Sequence, residues 1–339
     1  MSKNFNWHEM GFNYCPTGGE NARLYYRNGA WSEPEFTDNE YIPLHISAAC
    51  LHYGLEAFEG LKAYRGVDGR VRLFRAADNA ARFQESARKL CLPQVPAQLF
   101  VDVCTEVVRR NEEFVPPCES GATLYLRPLL IATKPCLGVR AVDEAAFIVF
   151  ASPVGPYFQG GTIKPVKVII DRGQDRAAPR GTGDVKVGGN YASSILSGEH
   201  AHDAGFASVL YTDSVEHRYV EECGAANFFA IKGNSYITPD SPSILPSITN
   251  RSLQRIAADM GMTIEVRRVD VAELGSFDEA GACGTGAAVS PIGEIHDADS
   301  GSVISYGNHV GEHSLRLYNA LQDIQYGRTE DRYGWTSII

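Results

Sequence analysis

Apolar residues recur at three- and four-residue intervals in two early stretches, about 78–90 and about 98–114, and this spacing predicts two amphipathic helices. Pro93, Pro96, Pro116 and Pro117 punctuate their ends. Ahead of them, two segments read as strand pairs about tight turns. Residues 24–31 turn at Asn28-Gly29, and residues 62–74 at Val67-Asp68-Gly69. Behind the helices, residues 122–132 and 146–152 are rich in Leu, Ile, Val and Phe and predict buried strands.

Proline and glycine then cluster from Pro153 to Gly161, the strongest boundary signal in the chain. It predicts a small N-terminal α/β domain with an N-terminal arm over 1–153, a linker over 154–162, and a larger domain over 163–339. In the second part, strands are predicted at 166–171, 206–212, 227–232, 235–238 and 263–269. Helices are predicted at 190–204, closed by Gly205, at 249–260, stopping at Gly261, and at 311–325. Interleaved apolar strands and helices make the fold class α/β (α+β) in two lobes. There is no internal repeat and no low-complexity tract.

Composition narrows the function classes. The 339 residues carry 31 basic and 41 acidic side chains, a net charge of −10. That argues against a general nucleic-acid binder. No apolar run reaches membrane-spanning length. The first residues lack the apolar core of a secretory signal, so a cytoplasmic location is expected. The eight cysteines include no C-x-x-C pair. Several, such as Cys91 and Cys104, sit in apolar surroundings and are read as reduced, buried thiols. His200-Ala201-His202 invites a metal reading, but residues two apart on a helix do not share a face. They are read as surface or structural histidines, and no metal site is expected.

The candidate chemistry centres on Lys186, in Gly181-Thr182-Gly183-Asp184-Val185-Lys186-Val187-Gly188-Gly189-Asn190-Tyr191. Glycines allow tight turns and close approach to a bound group. A lysine held there can form a Schiff base with an aldehyde cofactor. Other segments are odd as pure structure: Leu51 to Gly60, Leu124-Tyr125-Leu126-Arg127-Pro128, Glu221 to Asn227, Leu245-Pro246-Ser247-Ile248-Thr249-Asn250, and Ala282-Cys283-Gly284-Thr285-Gly286-Ala287-Ala288. Gly284-x-Gly286-x-x-Val289 has the opening of a dinucleotide fingerprint but lacks its third glycine or alanine and its βαβ context.

In order and spacing, these six segments resemble the branched-chain amino acid aminotransferases, which are pyridoxal-phosphate enzymes of fold type IV, the D-amino acid aminotransferase-like fold. The resemblance runs from near Asn21 to Gly327. It implies that pyridoxal 5'-phosphate is the cofactor, that Lys186 carries it, and that the freed amine shuttles the proton. It places Glu222, rather than its neighbour Glu221, against the pyridine nitrogen, because the family's carboxylate lies five residues before an asparagine, here Asn227. Tyr191 is implied as donor to the phenolic oxygen. Arg82, Ile248, Thr249 and Thr285 are implied at the phosphate, the helix-opening amides of Ile248 and Thr249 suiting an anion.

For substrate, the resemblance implies a side-chain pocket of Tyr53, Phe58, Tyr125, Val139 and Tyr157, with Arg127 supporting either a second carboxylate or the surrounding hydrogen bonds. The α-carboxylate falls to Tyr125 and the amides of Thr285 and Gly286. The implied reaction is reversible amino transfer from L-leucine, L-isoleucine or L-valine to 2-oxoglutarate, giving L-glutamate, in a homodimer where Val139 serves the partner's site. A D-amino acid transaminase, an aminodeoxychorismate lyase, or a catalytically silent pyridoxal-phosphate-binding protein stand as alternatives. The chain departs from the family's Gly-Val-Thr-Arg turn at Ser247 and Asn250, where Ser247 is expected to strain the turn or mark another branch. Gly286 replaces a common alanine.

Overall fold

The computed structural model describes residues 5–7, 9–155 and 163–339. The backbone divides into two compact units. One holds residues 1–161, Val185–Gly188 and Asp323–Ile339; the other holds Thr162–Asp184 and Gly189–Gln322. The Lys186 segment and the C-terminal residues thus return to the first unit. Most of the linker expected at 154–162 lies outside the described residues.

The first unit is built on a nine-stranded sheet. Along it run Thr336–Ile338, Val71–Phe74, Leu61–Arg65, Thr123–Ala132, Ala145–Val154, Asn21–Arg27 and Ala30–Trp31, all antiparallel to their neighbours. Glu56–Phe58 pairs with Thr123–Ala132 at the side. The Asn28-Gly29 turn forms as expected, with φ of 52° and 83°, the double left-handed geometry a two-residue hairpin needs. Strand alternation explains the sheet's two faces. Leu124, Leu126 and Leu130 are buried on one side, and Tyr125 and Arg127 fall on the other. Helices Ala76–Lys89 and Ala97–Arg110 cover the apolar side. Phe83 lies 5.3 Å from Phe100 and 5.6 Å from Phe147 between ring centroids, all three fully buried.

The second unit carries a mixed nine-stranded sheet. Val220–Cys223, Ser208–Thr212, Val166–Ile170, Ala288–Asp297, Glu279–Gly284 and Ala226–Lys232 follow one another, and Val220–Cys223 also pairs with Ala226–Lys232, so this run closes into a barrel. Closure removes sheet edges. Ser235–Pro239 and Thr263–Arg267 extend it, and helix Ile248–Asp259 ends before Gly261, at φ 82°.

Three sequence expectations change. The helix expected over 190–204 is two, Gly188–Ala192 and Ile195–Asp203, because Ser193 and Ser194 turn their hydroxyls onto the carbonyls of Asn190 and Tyr191 and compete with the helix. The second early helix ends at Arg110, with a 3-10 turn over Glu112–Phe114. Cys91 is exposed, not buried; it follows the helix end with φ 54°, and the turn carries it outward. Cys104 is buried, and His200 and His202 are both exposed.

Candidate active site

In the first unit, the segment around Lys186 is fixed at its backbone. Val185 and Val187 are buried in the apolar core. Between them, the Lys186 amide donates to Ser86 Oγ at 3.0 Å, and its carbonyl accepts from the Phe58 amide at 3.1 Å. The Gly188 amide donates to Glu56 Oε1. A Cβ on Gly188 would stand 1.9 Å from that oxygen, so the glycine is required by close approach rather than by flexibility. Alternating burial of the valines turns Lys186 the other way. Its Nζ stands 4.8 Å from the centre of the Phe58 ring, a cation–π distance.

Burial, followed by the nearby guanidinium of Arg82, lowers the Lys186 pKa, with the Glu59 carboxylate opposing. Glu59 is fully buried. Arg82 donates to it twice, Nε to Oε1 at 2.7 Å and Nη2 to Oε2 at 2.9 Å, and Asn79 adds a third bond at 2.7 Å. Burial works to raise the Glu59 pKa, but Arg82, Lys186 and Asn79 outweigh it and the net shift is downward. Glu59 was not foreseen. Apart from the adjoining Gly60 amide, which donates to Oε2 at 3.1 Å, its partners are distant in sequence: Asn79 and Arg82 lie 20 and 23 residues away.

Tyr125 and Arg127 occupy alternate positions of one strand, and Arg127 Nη2 donates to the Tyr125 hydroxyl at 3.3 Å. Arg127 also lies over the Phe58 ring at 4.9 Å. Thus Lys186, Phe58, Arg127, Tyr125 and, through Glu59, Arg82 are neighbours within this unit. Tyr53 ends the short helix Ala49–Tyr53, and its hydroxyl donates to the Leu137 carbonyl. That ties it to the loop of Val139, which is 82% exposed. Tyr157 lies outside the described residues.

The second unit holds the other expected groups. Glu221 and Glu222 are both buried. Neighbours on a strand point to opposite faces. Glu222 faces Asn227, its register partner, which in turn pairs with Cys283 on the next strand. Glu222 Oε1 accepts from Asn227 Nδ2 at 3.1 Å and from the Leu245 amide at 2.7 Å, and Oε2 lies 3.3 Å from Arg176 Nη1. An ionised carboxylate this deep requires a partner charge, and Arg176, itself buried, supplies it. Glu221 instead accepts from Ser241 at 2.5 Å, and burial raises its pKa.

Three residues after Leu245, helix Ile248–Asp259 begins. Ser247 caps it, its Oγ accepting from the Asn250 amide at 3.2 Å with φ −68° and ψ 130°. These are ordinary N-cap angles, so the turn is unstrained. Because Ser247 takes the Asn250 amide, among the described residues no group accepts from the amides of Ile248 and Thr249. They keep the helix N-terminus open to an anion. Thr285 and Gly286 form the turn between strands Glu279–Gly284 and Ala288–Asp297. Tyr191 sits half-buried in the short helix Gly188–Ala192. Within the first unit stands a lysine of lowered pKa; within the second stand a buried carboxylate with its own counter-ion and open helix-terminal amides. Each is of a chemistry that suits one group of a phosphorylated pyridine aldehyde.

A family model described as amino-transferase class IV matches residues 56–295. The chain belongs to the class IV aminotransferases. Among relatives of this family, a branched-chain-amino-acid aminotransferase from Helicobacter pylori is 44% identical over 336 residues, covering 98% of this chain and 97% of the relative. In structure, the aminotransferase resembles the Escherichia coli branched-chain amino acid aminotransferase, with a TM-score of 0.79 at 26% identity, over 93% of this chain and 99% of that one. A second solved branched-chain amino acid aminotransferase, that of T.th., holds pyridoxamine 5'-phosphate and matches at TM-score 0.78 and 29% identity, over 93% and 98% of the chains. Other structures of it hold N-(5'-phosphopyridoxyl)-L-glutamate and 4-methylvaleric acid. The fold is therefore fold type IV.

Proposed function

We propose that this aminotransferase moves the amino group reversibly between L-leucine, L-isoleucine or L-valine and 2-oxoglutarate, using pyridoxal 5'-phosphate. The observation that carries this reading is Lys186, fixed at its backbone by Ser86 and Phe58, in a chain 44% identical to a branched-chain-amino-acid aminotransferase. When bound, the cofactor supplies an electron sink for charge left on the substrate α-carbon as its proton leaves.

The protein's part is to hold and to move protons. A lowered pKa leaves more of the Lys186 amine neutral near pH 7, so Nζ can take the α-proton and return it. Glu222, paired with Arg176, would face the ring nitrogen, and Tyr191 would donate to the phenolic oxygen. The amides of Ile248 and Thr249, the Thr285 hydroxyl and Arg82 would each hold the phosphate. Phe58, Tyr53 and Tyr125 would enclose an aliphatic side chain and exclude water. Arg127 supports the second carboxylate of glutamate. The Tyr125 hydroxyl and the amides of Thr285 and Gly286 hold the α-carboxylate.

The same reading includes a cytoplasmic homodimer. Tyr41, Ile46, Leu137 and Val139 are each more than 80% exposed. Their two segments are tied by the Ala49 amide on the Lys134 carbonyl and the Cys136 amide on the Ser47 carbonyl. An apolar surface of this kind supports association with a second copy, and Val139 is the residue assigned to the partner's pocket.

The test is a donor panel with 2-oxoglutarate, read as kcat/KM. The branched-chain L-amino acids are expected to exceed L-alanine and D-alanine by at least tenfold. Preference for D-alanine, or no transfer from leucine, would overturn the assignment.

A further inference from the structure

Behind Glu222 lies a buried hydrogen-bond chain whose direction is fixed throughout. It starts at the Phe228 carbonyl, which can only accept. Thr238 donates its single hydroxyl proton there at 2.9 Å. Thr238 Oγ1 must therefore accept from its other neighbour, the Asn250 side chain at 2.9 Å, and this sets Nδ2 of Asn250 toward it. The opposite edge of the Asn250 amide accepts from the Tyr236 hydroxyl at 2.8 Å and from Gln254 at 3.3 Å.

Asn250 Nδ2 also donates to Asn227 Oδ1 at 3.3 Å. That leaves Asn227 Nδ2 to donate to Glu222 Oε1 and to the Leu245 carbonyl, each at 3.1 Å. Thr238, Asn250, Asn227 and Glu222 are all buried, so water cannot repair a wrong orientation. Turning the Asn227 amide over would set its oxygen against a carboxylate oxygen. Asn250 stands where the family's turn has arginine.

We propose that Asn250 is a positioning residue: through Asn227 it holds a donor, not an acceptor, against Glu222 and so fixes the carboxylate that meets the cofactor's ring nitrogen. The inference rests on the assignment of Glu222 to that nitrogen. The first variant is Asn250→Asp, nearly the same shape but with acceptors at both positions, which drives the Asn227 amide to turn. The second is Thr238→Val, which removes the fixed acceptor while leaving Asn250 in place.

Two quantities are read on the full-length protein: hydrogen exchange of the Asn227 side-chain amide in the apoprotein, and the affinities for pyridoxal 5'-phosphate and for inorganic phosphate. Asn250→Asp is expected to speed Asn227 exchange and weaken pyridoxal 5'-phosphate about tenfold, with inorganic phosphate unchanged; Thr238→Val should do the same to a smaller degree. Unchanged exchange and affinity in both variants would overturn the proposal. Equal weakening of both ligands would also overturn it, because a merely structural role acts on the whole site. Glu222→Gln separates the underlying reading. If that variant binds pyridoxal 5'-phosphate like the parent, the Glu222 assignment fails, while the exchange measurement still reports on the chain of amides.

Discussion

Arg82 gives its Nε and Nη2 to the fully buried carboxylate of Glu59, at 2.7 and 2.9 Å. Glu59 therefore sets the plane of the guanidinium that is assigned to the phosphate. Breaking one side of a buried pair costs about 3–5 kcal/mol. Glu59→Gln is expected near the low end, about 3 kcal/mol in denaturant unfolding of the apoprotein, because the amide oxygen still accepts one bond. The Glu59 pKa is lowered in the fold, so its stabilisation is full above its unfolded value of about 4.3 and is lost as pH falls through the lower folded value. The gap between parent and variant should persist at pH 5 and close only in stronger acid.

Lys186 has the opposite linkage. Its pKa is lowered first by burial and then by Arg82. Between the folded value and the unfolded value of about 10.4, the unfolded chain binds more protons, so stability rises with pH. Lys186→Met is accordingly expected to make the apoprotein more stable at pH 7, with the advantage shrinking as pH approaches 10. Chemical denaturation at pH 7, 8.5 and 10 checks this. A variant less stable than the parent at pH 7 would show that the amine is not penalised there.

Gly60 makes room for Tyr125. A Cβ at position 60 would stand 1.9 Å from the Tyr125 hydroxyl oxygen and 2.7 Å from its Cζ. Gly60→Ala must push the ring aside. It is expected to raise KM for leucine and glutamate roughly tenfold, or about 1.4 kcal/mol, with a smaller effect on kcat. Steady-state kinetics with both amino donors measures this.

Ser247 is a helix cap, and caps have a known scale. Ser247→Ala is expected to cost about 1 kcal/mol, and Ser247→Gly only a few tenths. Glycine restores the family's turn residue, so Ser247→Gly should retain nearly all activity. Thermal unfolding of the two variants, compared side by side, gives the measurement.

Local signals made the hairpins, the two early helices and the long strand pair readable from sequence. The Asn28-Gly29 turn and the three-and-four spacing of Phe83, Phe100 and their neighbours are determined over a few residues. Glu59, Arg176 and Asn250 were not readable as site-building residues. Each acts on a partner far along the chain, and a glutamate beside Phe58 or an arginine in a loop has the same local pattern as a solvated charge. Strand Glu279–Gly284 was also missed, because glycine and alanine at positions 280–282 lack strand propensity; it is held by Ala226–Lys232 and Ala288–Asp297 on either side. The break at Ser193 and Ser194 is invisible to apolar spacing, which carries no information on serine back-bonding. The order of the site motifs, by contrast, was visible throughout, since motif spacing survives where contacts are hidden.

The central claim is that Lys186 carries the cofactor. A competing amine exists in the same unit: Lys62, whose pKa burial pushes down to about 8. The most direct measurement is borohydride reduction of the protein loaded with pyridoxal 5'-phosphate, followed by peptide mass mapping. The account expects one phosphopyridoxyl group, on the peptide containing Lys186. A label on Lys62, or no stable label, would contradict it.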